Sequence, residues 1–177
     1  MSSEAQVVQD AVAPVAAPEE KSMSIIVTKG SLDWAYPPFI LGTTAAAMGI
    51  PVTMFFTFYG LPLLLKKLDL QLTAAGNPAM KMPMMGMHMG LPNLLTAIPG
   101  VDAGCSVMMK NLIKKKGVAS IEELREMAVE AEVRMIACQM TMDLFEYELE
   151  DFIEGPELGG AATYIEVASK SHINLFI

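Results

Sequence analysis

The stretch from Trp34 to Leu65 contains no charged side chain, and an uncharged run of this length has to be tested as a membrane span. Prolines and glycines cut it into pieces of about a dozen residues or fewer, whereas a spanning helix needs about 20. These interrupting residues are Pro37, Pro38, Gly42, Gly49, Pro51, Gly60 and Pro62. We therefore expect buried strands and helices of an α/β core, with a membrane-associated scaffold as an alternative.

Short apolar segments alternate with helical segments along the rest of the chain. Strands are expected at 23–28, 52–58, 133–137, 152–153 and 173–177. Helices are expected over 37–49, 61–68, 102–116, 121–131, 140–147 and 160–169, with Pro37 and Pro38 in a first turn and Ser120 and Glu123 as a capping box. This alternation predicts an α/β fold with a mostly parallel five-stranded sheet and helices on both faces.

The acidic residues are concentrated toward the C-terminal end. Residues 1–119 hold seven acids and nine bases, whereas residues 120–177 hold thirteen acids and three bases. No basic stripe is present, which argues against direct binding of nucleic acid. Residues 1–22 lack apolar periodicity and are expected to be a disordered tail, which leaves 23–177 as a single domain. Because the chain has two cysteines and no secretory leader pattern, we expect a cytoplasmic protein.

Functional sites of parallel sheets form just beyond the carboxyl ends of the strands. Four segments are expected there, at 29–36, 59–60, 138–141 and 155–159. They offer Lys29, Tyr36, Tyr59 and Thr141 as supporting side chains. Only the segment 138–141 contains a thiol.

Cys138 ends an apolar run and precedes a predicted helix start. Backbone N–H groups and the helix dipole favour a thiolate at such a position, so Cys138 is the candidate nucleophile. Asp143 opposes a low pKa for this thiol, and we expect the charge of Lys29 to offset it. The alternative is a small buried side chain at a strand end with no chemical role.

Cys105 is the second thiol and a further supporting candidate. It follows the expected N-cap Asp102 by three residues and shares a helix face with Met108, Met109 and Leu112, so we expect it in the core. The chain has no Cys-x-x-Cys pair, which excludes a thioredoxin-type dithiol. It also has no glycine-rich phosphate-binding motif, and no cofactor is expected.

The segment 80–89 contains six methionines in ten residues, and its prolines and glycines disfavour a helix. We interpret it as a loop that packs adaptably over a pocket or a subunit contact, without a metal. The alternative is a copper-binding protein, because thioether and imidazole ligands select Cu(I). The ligands would then be Met84, Met87, His88 and Met89.

Several segments together resemble the DsrE/DsrF/DsrH-like sulfur-transfer family, and above all its methionine-rich DsrE-like branch, which is sometimes labelled peroxiredoxin family. These segments are 28–33, 36–39, 54–61, the methionine-rich loop and 136–143, within a resemblance that covers about residues 23–177. The resemblance implies a five-stranded α/β fold, usually oligomeric, whose members relay sulfane sulfur. The Thr/Ser-x-x-Cys context of peroxiredoxins is absent around Cys138.

The resemblance also implies that Cys138 carries sulfur as a persulfide or thiosulfonate, while it assigns no role to Cys105. It implies a sulfur carrier or sulfurtransferase that acts in sulfur oxidation or tRNA thiolation. A rhodanese-like donor and a TusA-like sulfur carrier are the partners it implies.

Self-association is expected from the low charge of the N-terminal half. Residues 34–109 carry only five formal charges, and a monomer of this size has too little interior to hide every apolar side chain in that stretch. We therefore expect a homo-oligomer, a trimer, tetramer or hexamer, with the methionine-rich loop at or near a subunit contact.

Overall fold

A computed structural model describes residues 21–73, 81–84, 87–90 and 100–177. Within these ranges the strands are β1 Met23–Val27, β2 Val52–Phe56, β3 Lys81–Met84, β4 Met87–Gly90, β5 Arg134–Cys138, β6 Glu157–Gly159 and β7 Ile173–Phe176. The helices are α1 Leu32–Ala47, α2 Val101–Lys115, α3 Ile121–Glu130, α4 Gln139–Phe145 and α5 Ala161–Ala168. Two 3-10 segments lie at Phe58–Leu64 and Leu149–Asp151. Residues 1–20 of the expected tail lie outside the described residues.

Five strands form one parallel sheet in the order β6-β5-β2-β1-β7. The register pairs Val27 with Phe56, Phe56 with Ala137, and Cys138 with Gly159, so the strands end at a common carboxyl edge. Parallel neighbours need crossover connections, and the helices supply them. The predicted α/β fold with a five-stranded parallel sheet is confirmed.

The helices cover both faces of the sheet. Met54 and Phe56 of β2 belong to the main core, which buries Phe39 of α1 and Leu124 of α3. Phe55 lies in a second cluster with three buried partners, Ile136, Cys138 and Tyr164 of α5. Because successive residues of a strand face opposite sides, the predicted thiol lies on the α5 side of the sheet.

The 3-10 segment after β2 is held tightly against β1. A Cβ atom on Gly60 would come within 2.2 Å of the Val27 carbonyl oxygen, so only glycine permits this approach. From α3, the buried Arg125 guanidinium donates to the carbonyls of Leu63, at 3.0 Å, and Leu65, at 2.6 Å. These contacts fix the chain where it leaves β2, next to the carboxyl edge.

The predicted start of the first helix is wrong. Helix α1 begins at Leu32, and both Pro37 and Pro38 lie inside it. The Ala35 N–H already donates to the Ser31 carbonyl at 2.9 Å, so the helix is established before the prolines. Leu32, Ala35 and Phe39 are buried, and this apolar face offsets the hydrogen bonds that the two prolines cannot make.

Three other element predictions need correction. The fourth strand of the sheet is β6 at Glu157–Gly159, whereas Phe152 forms an isolated antiparallel bridge with Leu65. Helix α2 has Gly100 as its N-cap, because the helix has already begun at Val101 when the chain reaches Asp102. The methionine-rich loop contains the antiparallel hairpin of β3 and β4. The capping box of Ser120 and Glu123 is confirmed.

Candidate functional site

Cys138 sits at the junction of two elements. It is the last residue of β5 and the N-cap of α4, and 4% of its surface is exposed. Met135, Ile136 and Ala137 are buried β-strand residues, which fixes the backbone that leads into the junction. The thiol is therefore recessed at the carboxyl edge of the sheet rather than displayed on a loop.

Hydrogen-bonding groups of two elements lower the pKa of the Cys138 thiol. Burial raises its pKa, but the hydroxyls of Thr141 and Thr57 and the backbone N–H groups of Thr141 and Met140 lower it more, so that the pKa lies below its ordinary value. Donors of this kind stabilise the charged thiolate more than the neutral thiol. The arrangement favours the thiolate, which is the form that a nucleophilic cysteine requires.

Thr57 and Thr141 reach the sulfur from different elements. Thr57 follows β2 and Thr141 lies in the first turn of α4, and their hydroxyl oxygens are 3.1 Å apart. The backbone N–H of Phe58 donates to the Thr141 oxygen at 3.1 Å, which leaves the Thr141 proton for another acceptor. Phe58 has a left-handed backbone, with φ 46°, at the point where the chain turns from β2 into the 3-10 segment.

Thr57 did not emerge from the sequence as a site residue. It stands at the end of a strand that neighbours β5, and that position was the available signal. The expected strand 52–58 ran past it, whereas β2 ends at Phe56. Because β2 ends at Phe56, Thr57 lies beyond the carboxyl edge of the sheet, beside Thr141.

Lys29 makes a different contact from the one expected. Its ammonium lies 3.3 Å from the centre of the Trp34 ring, in a cation–π arrangement. The groups that shift the pKa of Cys138 are hydrogen-bond donors on β2 and α4, and Lys29 is not among them. In the part of the chain that the structure describes, neutral donors offset the burial of the thiol.

The two tyrosine candidates lie in different places. Tyr36 faces the α1–α3 side, where its hydroxyl donates to the Ala119 carbonyl at 3.1 Å. Burial, with smaller effects of Glu122 and Glu123, raises its pKa. Tyr59 lies at the carboxyl edge, with its ring 5.9 Å from that of Phe145 at the end of α4. The structure thus brings Tyr59 near α4, whereas Tyr36 contacts the segment before α3.

Cys105 lies on α2, where it is buried. Its neighbour Ser106 accepts a hydrogen bond from the backbone N–H of Leu72 at 2.7 Å, which ties the helix to the segment after the first 3-10 turn. Both cysteines are free thiols.

The described residues offer neither a cluster of metal ligands nor a membrane-spanning helix. No group of three or more His, Cys, Asp or Glu side chains there could hold a metal ion. The backbone register of the hairpin pairs Met84 with Met87, Met82 with Met89, and Pro83 with His88. The side chains of the alternative copper set, Met84, Met87, His88 and Met89, lie outside the description. None of the described helices has the length and apolar character needed to cross a membrane.

Comparisons with known proteins converge on one family. Residues 19–176 match the DsrE/DsrF/DrsH-like family. A protein of Allochromatium vinosum named sulfur carrier protein DsrE2 is 58% identical over 159 residues, which span 90% of this chain and 99% of that protein. The uncharacterized protein YrkE of Bacillus subtilis is 32% identical over 162 residues, covering 90% and 98% of the two chains.

A solved structure shares the fold. The crystal structure of the ychN protein from E. coli aligns with a TM-score of 0.51 at 10% sequence identity. The alignment covers 89% of this chain and 99% of that one. At this identity the likeness concerns the fold alone.

Proposed function

We propose that this chain, which belongs to the DsrE/DsrF/DrsH-like family, is a sulfur carrier that holds sulfane sulfur on Cys138 as a persulfide or thiosulfonate. The relative named as a sulfur carrier is 58% identical over nearly its whole length, which supports the carrier role. The observation that carries the proposal is the placement of the buried Cys138 at the N-cap of α4, beside the Thr57 and Thr141 hydroxyls that lower the pKa of its thiol.

The loading chemistry needs a thiolate and a donor with a sulfane sulfur. The Cys138 thiolate attacks the outer sulfur of thiosulfate, the sulfur–sulfur bond of the donor breaks, and sulfite leaves with the bonding pair. Cys138 then carries a persulfide anion. No external oxidant or reductant is required, because the transferred atom keeps its oxidation level. With tetrathionate, thiosulfate leaves and Cys138 becomes a thiosulfonate.

The same donors suit both ends of the transfer. They stabilise negative charge on the Cys138 sulfur before attack and again when that sulfur becomes the leaving group during unloading. A carrier needs this symmetry, since it must accept and release its cargo. We include a rhodanese-like donor and a TusA-like acceptor in the proposal, within sulfur oxidation or tRNA thiolation.

The test is loading followed by intact mass. Wild-type protein and Cys105→Ser, incubated with thiosulfate, tetrathionate or a persulfidated carrier, should gain sulfur, and Cys138→Ser should gain none. Reducing agent should remove the added mass, because a persulfide exchanges with thiols. Loading that persists in Cys138→Ser would falsify the assignment of the carrier cysteine.

A further inference from the structure

Exposed apolar side chains surround the recessed thiol at the carboxyl edge. Phe58, Tyr59, Met140 and Leu144, here called the edge patch, are 46%, 70%, 62% and 60% exposed. They lie on two adjoining segments, because the Phe58 N–H donates to Thr141 and the Tyr59 ring packs on Phe145 of α4. Met140 and Leu144 are one helical turn apart on α4. Apolar exposure of this kind around a reactive group marks an interaction site.

The border of the edge patch is acidic on its α4 side, whereas Lys67 lines the same cavity as Tyr59 on the other side. Residues 135–169 contain eight Asp and Glu residues and no Lys, Arg or His. Ion pairs among the described residues join Arg134 to Glu157 and Lys170 to Glu166, so they do not neutralise Asp143, Glu146 or Glu150. Lys66 reaches this region, where its ammonium donates to the backbone carbonyl of Glu150 at 2.5 Å. Asp143 and Glu146 therefore lie outside both ion pairs, whereas the Lys66 ammonium lies beside Glu150.

We propose that the edge patch docks a partner protein whose reactive cysteine stands on a projecting, basic segment. The inference rests on the proposed carrier function and specifies its partner. A thiol with 4% exposure cannot meet a cysteine on a flat surface, so the partner's sulfur must project. The apolar centre suits an apolar contact, and the acidic border selects positive charge and excludes acidic partners.

A second copy of this chain is a poorer occupant of the same surface. In a two-fold contact the patch meets itself, so the acidic residues of one copy, Asp143, Glu146 and Glu150, would be brought near those of the other. Like charges brought together across an interface are unfavourable. A basic partner has no such conflict.

Unloading at the edge patch is a thiol exchange. The partner's thiolate attacks the outer sulfur of the Cys138 persulfide, the sulfur–sulfur bond breaks, and Cys138 leaves as a thiolate. The partner's cysteine becomes the persulfide and one sulfur atom has moved. Loading by a persulfidated partner is the reverse of this step.

Synthetic peptides provide the test. Full-length protein loaded from thiosulfate is mixed with one of two acceptor peptides, each with a single cysteine, flanked by lysines in one and by glutamates in the other. At low salt the lysine peptide should accept sulfur about tenfold faster. The ratio of the two rates should fall toward unity in about 0.5 M salt, where surface charges are screened.

Matched variants separate docking from the intrinsic reactivity of the peptides. The triple variant Asp143→Asn, Glu146→Gln, Glu150→Gln should lose most of the preference. A control with the same change in charge, Glu126→Gln, Glu130→Gln, Glu132→Gln, alters exposed residues of α3 and the turn after it and should keep the preference. Because both peptides are used with every protein, differences in their thiol pKa cancel.

The possible results have distinct meanings. A protein that takes up no sulfur overturns the carrier function and the docking inference together. A protein that loads and transfers with equal preference in wild type, triple variant and control overturns the docking inference alone. If Met140→Gln with Leu144→Gln lowers the mass in light scattering and speeds transfer, the patch is a contact between copies, which also overturns the inference.

Discussion

The Cys138 thiol is buried, and yet its hydrogen bonds favour the charged form. Burial alone would raise the pKa of the thiol and make it inert. The hydroxyls of Thr57 and Thr141 and two backbone N–H groups reverse that effect. Reactivity at this residue therefore depends on donors that carry no charge, and removal of one should be measurable.

At the residue scale we predict that Thr57→Val slows reaction of Cys138 with iodoacetamide. The substitution keeps the shape of the side chain and removes one donor, so the pKa rises and less thiolate exists at neutral pH. One hydrogen bond is worth about 1 kcal/mol, which corresponds to a rate about fivefold lower at neutral pH. The midpoint of the rate against pH should move upward, toward the ordinary thiol pKa of 9.0.

Two variants serve as controls for this prediction. Thr57→Ser keeps a hydroxyl and should retain the wild-type midpoint. Thr53→Val makes the same chemical change on β2 but at its amino end, far from the carboxyl edge, and should leave the pH profile unaltered. An equal shift in Thr53→Val and Thr57→Val would show that the effect comes from the strand and not from the hydroxyl.

Sequence reasoning reached some of these side chains and missed others for a physical reason. Cys138 and Thr141 lie within one turn of each other, so a local pattern places them together. Thr57 joins them only through the pairing of β2 with β5, which a single sequence does not display. Lys29 was expected to act by charge, and its side chain instead packs on Trp34.

At the scale of elements, the copper alternative can be tested in the methionine-rich loop, which contains β3 and β4. Replacing Met84, Met85, Met87 and Met89 with Leu removes the thioethers and nearly conserves volume. We predict that sulfur loading of Cys138, followed by intact mass, stays within about twofold of wild type. Tight Cu(I) binding by wild type that the variant loses would instead favour a copper-handling role.

The elements themselves were predicted where the local pattern is strong. The capping box of α3 is a local pattern and was placed correctly. The start of α1 was misplaced, because the burial of Leu32, Ala35 and Phe39 against the sheet decides it, and that is a tertiary effect. The short strand β6 has three residues, too few for a periodic signal.

On the scale of the whole molecule we predict a soluble homo-oligomer, a trimer, tetramer or hexamer. Further exposed apolar side chains lie outside the edge patch, including Met48, Val107, Ile165 and Phe176. We expect several of them to be buried in contacts between subunits. Light scattering of detergent-free protein should give a multiple of 19.1 kDa. A stable monomer would contradict this prediction, and recovery only in a detergent-released membrane fraction would favour the membrane alternative.

The fold class followed from the alternation of strands and helices because parallel pairing requires crossovers of a dozen or more residues. The order of the strands did not follow, since β5 lies next to β2 through contacts between distant parts of the chain. The contact between Thr57 and Thr141 could not be predicted for the same reason, because it depends on which strands are neighbours in the sheet.

Thr57 and Thr141 are 84 positions apart in the chain, and that distance governs when the site exists. As the ribosome extends the chain, β2 emerges long before α4, and a contact of this span forms only after the intervening crossovers close. Until then the cysteine is an ordinary thiol in a flexible segment. The chain therefore acquires its reactive sulfur only once β5 has paired with β2, a step that the sequence around the cysteine cannot complete by itself.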